Sequence, residues 1–155
     1  MRGKRAKRRT IANDRKYNDE IIGRLVNKVM QGGRKSVAEN LVYNALETGA
    51  EKVSVPVVEF THTAIDNIRP ALELKSRRVG GANYSVPIPV TPRRQEALAI
   101  KWLVDLARGK SGKSFDEILK EEFINAYKGE GDAIKKKTDI ERMAEANKAF
   151  AHFRW

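Results

Sequence analysis

Leu74 to Gln95 reads Leu-Lys-Ser-Arg-Arg-Val-Gly-Gly-Ala-Asn-Tyr-Ser-Val-Pro-Ile-Pro-Val-Thr-Pro-Arg-Arg-Gln, with five cations (Lys75, Arg77, Arg78, Arg93, Arg94) and no anion. At its centre Gly80-Gly81 can supply the positive φ values that a two-residue hairpin turn demands. After the turn Ala82, Tyr84, Val86, Ile88 and Val90 recur at period two, which places them on one face of a strand. With the turn placed there the register follows. Val79 pairs with Ala82 and Arg77 with Tyr84 on one face, and Arg78 pairs with Asn83 on the other. Pro87 and Pro89 cannot donate to a ladder, so the returning strand is expected to be an edge that nothing else joins. The hairpin is predicted over residues 73–90. A two-stranded ribbon alone is marginal in water, and one this charged suits a polyanionic partner.

The rest of the chain agrees. Its 155 residues carry 31 Lys and Arg against 20 Asp and Glu, a net charge of +11 and a pI near 10.0. Such a balance points to nucleic acid or an anionic surface as partner. The length suits one domain with a single core. The absence of cysteine excludes disulfides and zinc ribbons. No apolar run is long enough to span a membrane and the N-terminus has no apolar signal core, so a soluble, cytoplasmic protein with no membrane partner is expected.

The charge is segregated. Residues 1–35 hold 12 cations and 3 anions, residues 36–71 hold 2 and 5, residues 72–113 hold 9 and 3, and residues 114–155 hold 8 and 9. Two basic zones on either side of a mildly acidic stretch suggest a defined binding face. Residues 1–15 form a basic extension expected to be disordered alone, with nothing to pack. Residues 16–155 form one helical domain.

Helical spacing recurs six times. Ile21, Ile22, Leu25, Val26, Val29 and Met30 make a first helix, ended by Gly32-Gly33. Val37, Leu41, Val42, Ala45 and Leu46 make a second, expected to close near Gly49. Pro56 opens a third through Phe60, Ile65 and Ile68, which must stop before Pro70. Thr91-Pro92 opens a fourth through Leu98, Trp102, Leu103 and Leu106 to Gly109. Ser114 with Glu117 reads as a capping box for a fifth, and Thr138 with Glu141 as another for a sixth, which Ala133 to Lys137 can extend backwards. The fold class is therefore mainly α: a six-helix, bundle-like domain with a long β-hairpin arm inserted between the third and fourth helices.

Four motifs resemble one family, the bacterial form of ribosomal protein seven of the small subunit. They are Gly33-Arg34-Lys35 followed by Leu41-Val42-Tyr43-Asn44-Ala45; Arg69-Pro70-Ala71-Leu72-Glu73; Lys75 through Tyr84; and the ending Arg142-Met143-Ala144-Glu145-Ala146-Asn147-Lys148-Ala149-Phe150-Ala151-His152-Phe153-Arg154-Trp155. The likeness runs in order over nearly the whole chain. The prolines usual in the family around Ala12–Tyr17 are absent here. The resemblance implies direct, early binding to the 3′ major domain of small-subunit ribosomal RNA and organisation of the subunit head. It also implies a position near the exit-site transfer RNA and the messenger's exit channel, beside small-subunit proteins nine and eleven, with the hairpin reaching toward that site.

The chemistry of the residues sets physical roles. Lysines and arginines on phosphates dominate affinity for RNA, while folded RNA is recognised largely by shape and by stacking on unpaired bases. Arg77, Arg78, Arg93 and Arg94 suit bidentate phosphate contact. Gly32-Gly33-Arg34-Lys35 can present backbone amides at a helix start to an anion, with two cations beside them. Tyr84 either stacks on a base or covers its own strand, and Trp155, with Phe150 and Phe153, either docks on the domain or stacks on RNA. The expected RNA-contacting set is Arg2, Lys4, Arg5, Lys7, Arg8, Arg9, Arg15, Lys16, Gly33, Arg34, Lys35, Lys75, Arg77, Arg78, Asn83, Tyr84, Arg93, Arg94, Lys110, Lys113, Lys136, Lys137 and Trp155.

Other signals read as structural. Gly33-Arg34-Lys35-Ser36 is no phosphate-binding P-loop, because Arg34 interrupts it and a helix precedes it. His62 and His152 have no ligand cluster around them, so neither a metal nor a cofactor is expected. Asp116, Glu117, Glu121 and Glu122 read as capping and a solvated helix face. Trp102 reads as core. No nucleophile–base pair survives inspection, which disfavours an enzyme. A DNA-bending architectural protein with a basic β-arm is the alternative, disfavoured by the motifs and the helical body.

Overall fold

A computed structural model describes Gly3, Ala6 and residues 11–153 of the chain. Asp19 caps the first helix by accepting the amide of Ile22 at 2.9 Å, and α1 (Glu20–Val29) then turns one apolar face inward through Ile22, Leu25, Val26 and Val29. α2 (Lys35–Val53) and α3 (Val57–Ile68) follow. After the hairpin come α4 (Pro92–Gly109), α5 (Phe115–Tyr127) and α6 (Gly131–Ala146), and a 3₁₀ segment, Lys148–Phe153, ends the described chain. The predicted six α-helices are all present, with the hairpin between the third and fourth.

α5 is the hub of the core, packing against α2, α3, α4 and α6. Phe123 has no exposed surface and meets Phe60 of α3 at 6.1 Å between ring centroids. Leu25, Val42, Leu46, Ile65, Leu103 and Leu119 close the core around this pair, and Trp102 is buried with them as expected.

The hairpin consists of β1 (Leu72–Val79) and β2 (Ala82–Pro89), antiparallel, with the predicted register: Arg77 opposite Tyr84, Arg78 opposite Asn83, Val79 opposite Ala82. Gly80 and Gly81 have φ of +57° and +91°, the sign pattern of a type I′ turn. Among the described residues the sheet has only these two strands, so the prolines of β2 interrupt no ladder on its outer side. β1 packs on α6, and β2 packs on the 3₁₀ segment.

Three local expectations are corrected. α2 does not close at Gly49 but continues to Val53 and ends at Ser54 in the left-handed conformation. Gly49 is present because the Phe60 ring lies against it: a Cβ there would stand 3.0 Å from that ring. Neither capping box forms. Ser114 occupies the N-cap of α5 without a capping hydrogen bond, and Thr138 lies inside α6, where its hydroxyl donates to the Ile134 carbonyl at 3.1 Å. α6 begins at Gly131, the backward extension foreseen from Ala133 to Lys137.

The expectation that residues 1–15 pack against nothing fails at Asp14. Its side chain is buried, accepting the Tyr43 hydroxyl of α2 at 2.5 Å and the amides of Lys16 and Tyr17 at 3.0 Å each. Where the sequence lacks proline to stiffen Ala12–Tyr17, a carboxylate tied to its own backbone shapes the turn instead.

Candidate nucleic-acid interface

The predicted cations fall into two physical classes. Some are already engaged. Lys16 is paired with Glu47 and lies within 5.6 Å of the Tyr17 ring centroid and 5.5 Å of the Tyr43 centroid. Lys35 has only a long contact to Glu39 at 3.8 Å. Lys110 bridges Glu122 and Asp132, Lys113 pairs with Glu121, and Lys137 donates to the Asn67 carbonyl at 2.9 Å. Glu122 is therefore not on a solvated helix face: it is 2% exposed, and Lys110 makes its burial tolerable. Its neighbours Glu117 and Glu121 do face solvent.

The others point outward. Arg15, Arg34, Arg78 and Arg93 are exposed, and their side chains form no hydrogen bond or ion pair among the described residues. Lys136 is likewise unpaired but half-buried on α6. Asn83 is exposed beside the turn, directly opposite Arg78.

Two of these arginines, Arg93 and Arg34, mark opposite ends of α4. At its N-terminus Arg93 and Arg94 stand in a first turn that contains no acid. Arg94 reaches Glu73 of β1 at 3.1 Å, and Lys75 reaches the other oxygen of the same carboxylate at 3.2 Å. At the C-terminal end Lys110 and Lys113 follow the helix. Beside them, Arg34 and Arg108 edge a groove of about 540 Å³ floored by Val29, Val37, Leu41 and Phe115. Arg108 is held there by donating to the carbonyls of Lys28 and Val29 at 3.1 Å each, satisfying the end of α1. The 18 residues of α4 separate the clusters by about 27 Å at 1.5 Å per residue. On the hairpin Arg78 is exposed, whereas Arg77, opposite Tyr84, is half-buried and engaged.

The Gly32-Gly33-Arg34-Lys35 turn is less of an amide nest than its sequence suggests. The Arg34 amide donates to the Gln31 carbonyl at 3.1 Å and the Lys35 amide to that of Gly33 at 2.9 Å. The side chains of Arg34 and Lys35 remain exposed there.

Tyr84 lies against the 3₁₀ segment, with its ring centroid 5.0 Å from that of Phe150 and 5.3 Å from that of Phe153. Phe150 and Phe153 thus dock on the domain, one of the two arrangements open to them, and Tyr84 is half-buried beneath them. Arg2, Lys4, Arg5, Lys7, Arg8, Arg9 and Trp155 lie outside the described residues.

Sequence reasoning missed the groups that organise these cations: Glu73, Glu122, and the clasp of Asp14 with Tyr43 and of Tyr17 with Glu47. In the clasp, burial and then the hydrogen bond to Asp14 push the Tyr43 hydroxyl above its ordinary pKa, and burial and then Glu47 do the same to Tyr17. Burial opposes ionisation of Asp14, yet the Tyr43 hydroxyl and the amides of Tyr17, Lys16 and Arg15 together hold its carboxyl below its usual pKa. No residue pattern could have announced these pairings, which join distant elements.

What the surface can do is bind an extended anion at several points. Among the described residues no group of three His, Cys, Asp or Glu could hold a metal ion, and no helix is long and apolar enough to cross a membrane. His62 instead meets Asp19 at 2.7 Å.

The sequence profile described as ribosomal protein S7p/S5e matches residues 1–148. The chain belongs to this family. It is 50% identical over 155 residues to small ribosomal subunit protein uS7 of Thermosipho melanesiensis, covering all of both chains. It is also 50% identical over 151 residues to uS7 of Dichelobacter nodosus, covering 97% of each chain. Over 149 residues it is 47% identical to uS7 of Borrelia hermsii, covering 96% of this chain and 95% of that one. Membership in the S7p/S5e family makes the chain a structural ribosomal protein and not an enzyme.

Proposed function

We propose that the protein binds the 3′ major domain of small-subunit ribosomal RNA directly and nucleates assembly of the subunit head. It works in the cytoplasm as a component of the small ribosomal subunit. In the finished particle it lies near the exit-site transfer RNA and the messenger's exit channel, beside proteins nine and eleven. The observation that carries this reading is the placement of unneutralised arginines: Arg34 beyond one end of α4, Arg93 at the other and Arg78 on the hairpin. A surface with anchor points about 27 Å apart, one at each end of an 18-residue helix, suits an irregular folded RNA that can bring phosphates to each. Guanidinium forks add geometric specificity for phosphate that ammonium groups lack.

The test is a binding titration of the full-length protein against a transcript of the 3′ major domain and against duplex DNA of equal length, at physiological salt. A large preference for the transcript is expected, with affinity falling steeply as salt rises, by a logarithmic slope of about 0.7 to 0.9 per phosphate neutralised. Equal affinity for the two nucleic acids would overturn the reading in favour of an architectural DNA binder.

A further inference from the structure

Glu73 sits where an anion is least expected, inside the cationic cluster at the root of the hairpin. It is largely sheltered, with 14% of its side chain exposed, while Lys75 and Arg94 are 53% and 55% exposed. Burial opposes the charge of Glu73, but Arg94 and then Lys75 hold its carboxyl below its usual pKa. Each of its oxygens takes one cation, Oε1 facing Lys75 and Oε2 facing Arg94.

The atom that Arg94 uses is informative. It donates through Nε, the nitrogen set back from the tip of the guanidinium, and Glu73 is the only carboxylate it meets among the described residues. A guanidinium gripped at Nε still offers the end-on edge formed by its two Nη groups to another oxyanion. Arg94 also stands in the first turn of α4, where the helix dipole disfavours a cation; α1 and α5 place Glu20, Asp116 and Glu117 at the equivalent turns. A cation kept against the local electrostatic preference, and held by a sheltered carboxylate, is a mark of a functional site.

We propose that Glu73 is a positioning residue for phosphate recognition: it holds the Arg94 guanidinium, with Lys75 beside it, so that the end-on fork meets a backbone phosphate of the RNA. This rests on Arg94 being an RNA contact, as proposed above. Two physical effects then make opposite predictions. If Glu73 were only a countercharge, removing it would strengthen binding, because one anion fewer faces the phosphates. If it positions the fork, removing it weakens binding although the surface becomes more positive.

The experiment titrates the 3′ major domain transcript, at one fixed salt concentration, with full-length wild-type protein and E73A, E73Q, R94A, R94K and E73A/R94A. We expect E73A to weaken binding about fivefold and R94A at least as much. R94K should resemble R94A, because an ammonium keeps the charge without the fork. E73Q retains the shape of the hairpin root and one acceptor, so it should lose about twofold. In the R94A background, E73A should cause no further loss. Binding by E73A as tight as wild type, or tighter, would overturn the positioning role while R94A still tests the contact itself. An undiminished E73A loss in the R94A background would also overturn it, by showing damage to the hairpin root instead. Wild-type affinity in R94A would remove both the contact and its positioning.

Discussion

The helical body and the hairpin arm use their residues for opposite ends. In the body, Leu25, Val42, Phe60, Ile65, Leu103 and Phe123 have no exposed surface, and several cations are committed to the fold: Arg24 and Arg69 meet at Glu96, and Arg108 closes the end of α1. Along the two strands of the arm only Val86 and Pro87 are buried, and Arg78 stands in solvent without a partner among the described residues. The body converts apolar area into stability, whereas the arm buries little and leaves Arg78 to solvent. The contrast implies that folding and RNA contact are separable by mutation.

The strongest way to break that comparison is to cut each side once. Phe123→Ala removes a fully buried ring from the hub helix and should cost about 3–5 kcal/mol of stability, read from the denaturant midpoint. Arg78→Ala on the arm, like Arg93→Ala at the exposed start of α4, should change stability by less than about 0.5 kcal/mol and yet weaken binding to the RNA transcript. A stability loss in the arginine variants comparable to that of Phe123→Ala would erase the distinction.

A smaller effect sharpens the boundary between body and N-terminal extension. Asp14 anchors the chain through Tyr43 and two amides, so Asp14→Asn should cost about 1–2 kcal/mol at neutral pH. Because the carboxyl is held below its usual pKa in the folded protein, its contribution is full above the unfolded value near ~3.9. It is lost as pH falls through the lower folded value. Chemical denaturation of wild type and variant across that window should therefore show two stabilities that converge on acidification. A constant gap would mean that the side chain's shape, not its charge, holds the turn.

The hairpin was legible because its determinants are neighbours in the chain: two glycines set the turn, and alternation set the faces of Arg77, Arg78 and Tyr84. Helix number was legible for the same reason. What escaped were features decided between elements. Gly49 looks like a stop until Phe60 is folded against it. Glu122 looks solvated until Lys110 and the α4–α5 packing enclose it. Ser114 and Thr138 have the spacing of caps, yet Ser114 makes no capping bond and Thr138 turns to the Ile134 carbonyl inside its own helix. The candidate site divides similarly. Which residues are cationic was plain, but which cations are already neutralised depends on carboxylates brought in by tertiary structure, as Glu47, Glu73 and Glu121 are.

The smallest stability effect is expected at the tip of the arm. Replacing Val79–Asn83 with a shorter turn leaves Tyr84 and its contacts with Phe150 and Phe153 in place, as well as the Glu73 bridge to Arg94 at the root. The isolated protein should lose no more than about 0.5 kcal/mol, since no core side chain is removed. Early RNA binding should persist through Arg34, Arg93 and Arg94. The consequence belongs later, in the assembled particle, where the proposed position of the arm brings its tip toward the exit-site transfer RNA. Reconstituted particles carrying the shortened protein should incorporate it normally and retain that transfer RNA more weakly. A protein that fails to incorporate would make the tip a primary ribosomal RNA anchor, and normal transfer RNA occupancy would deny it the later role. The two measurements together decide whether the arm's charge serves assembly or the finished machine.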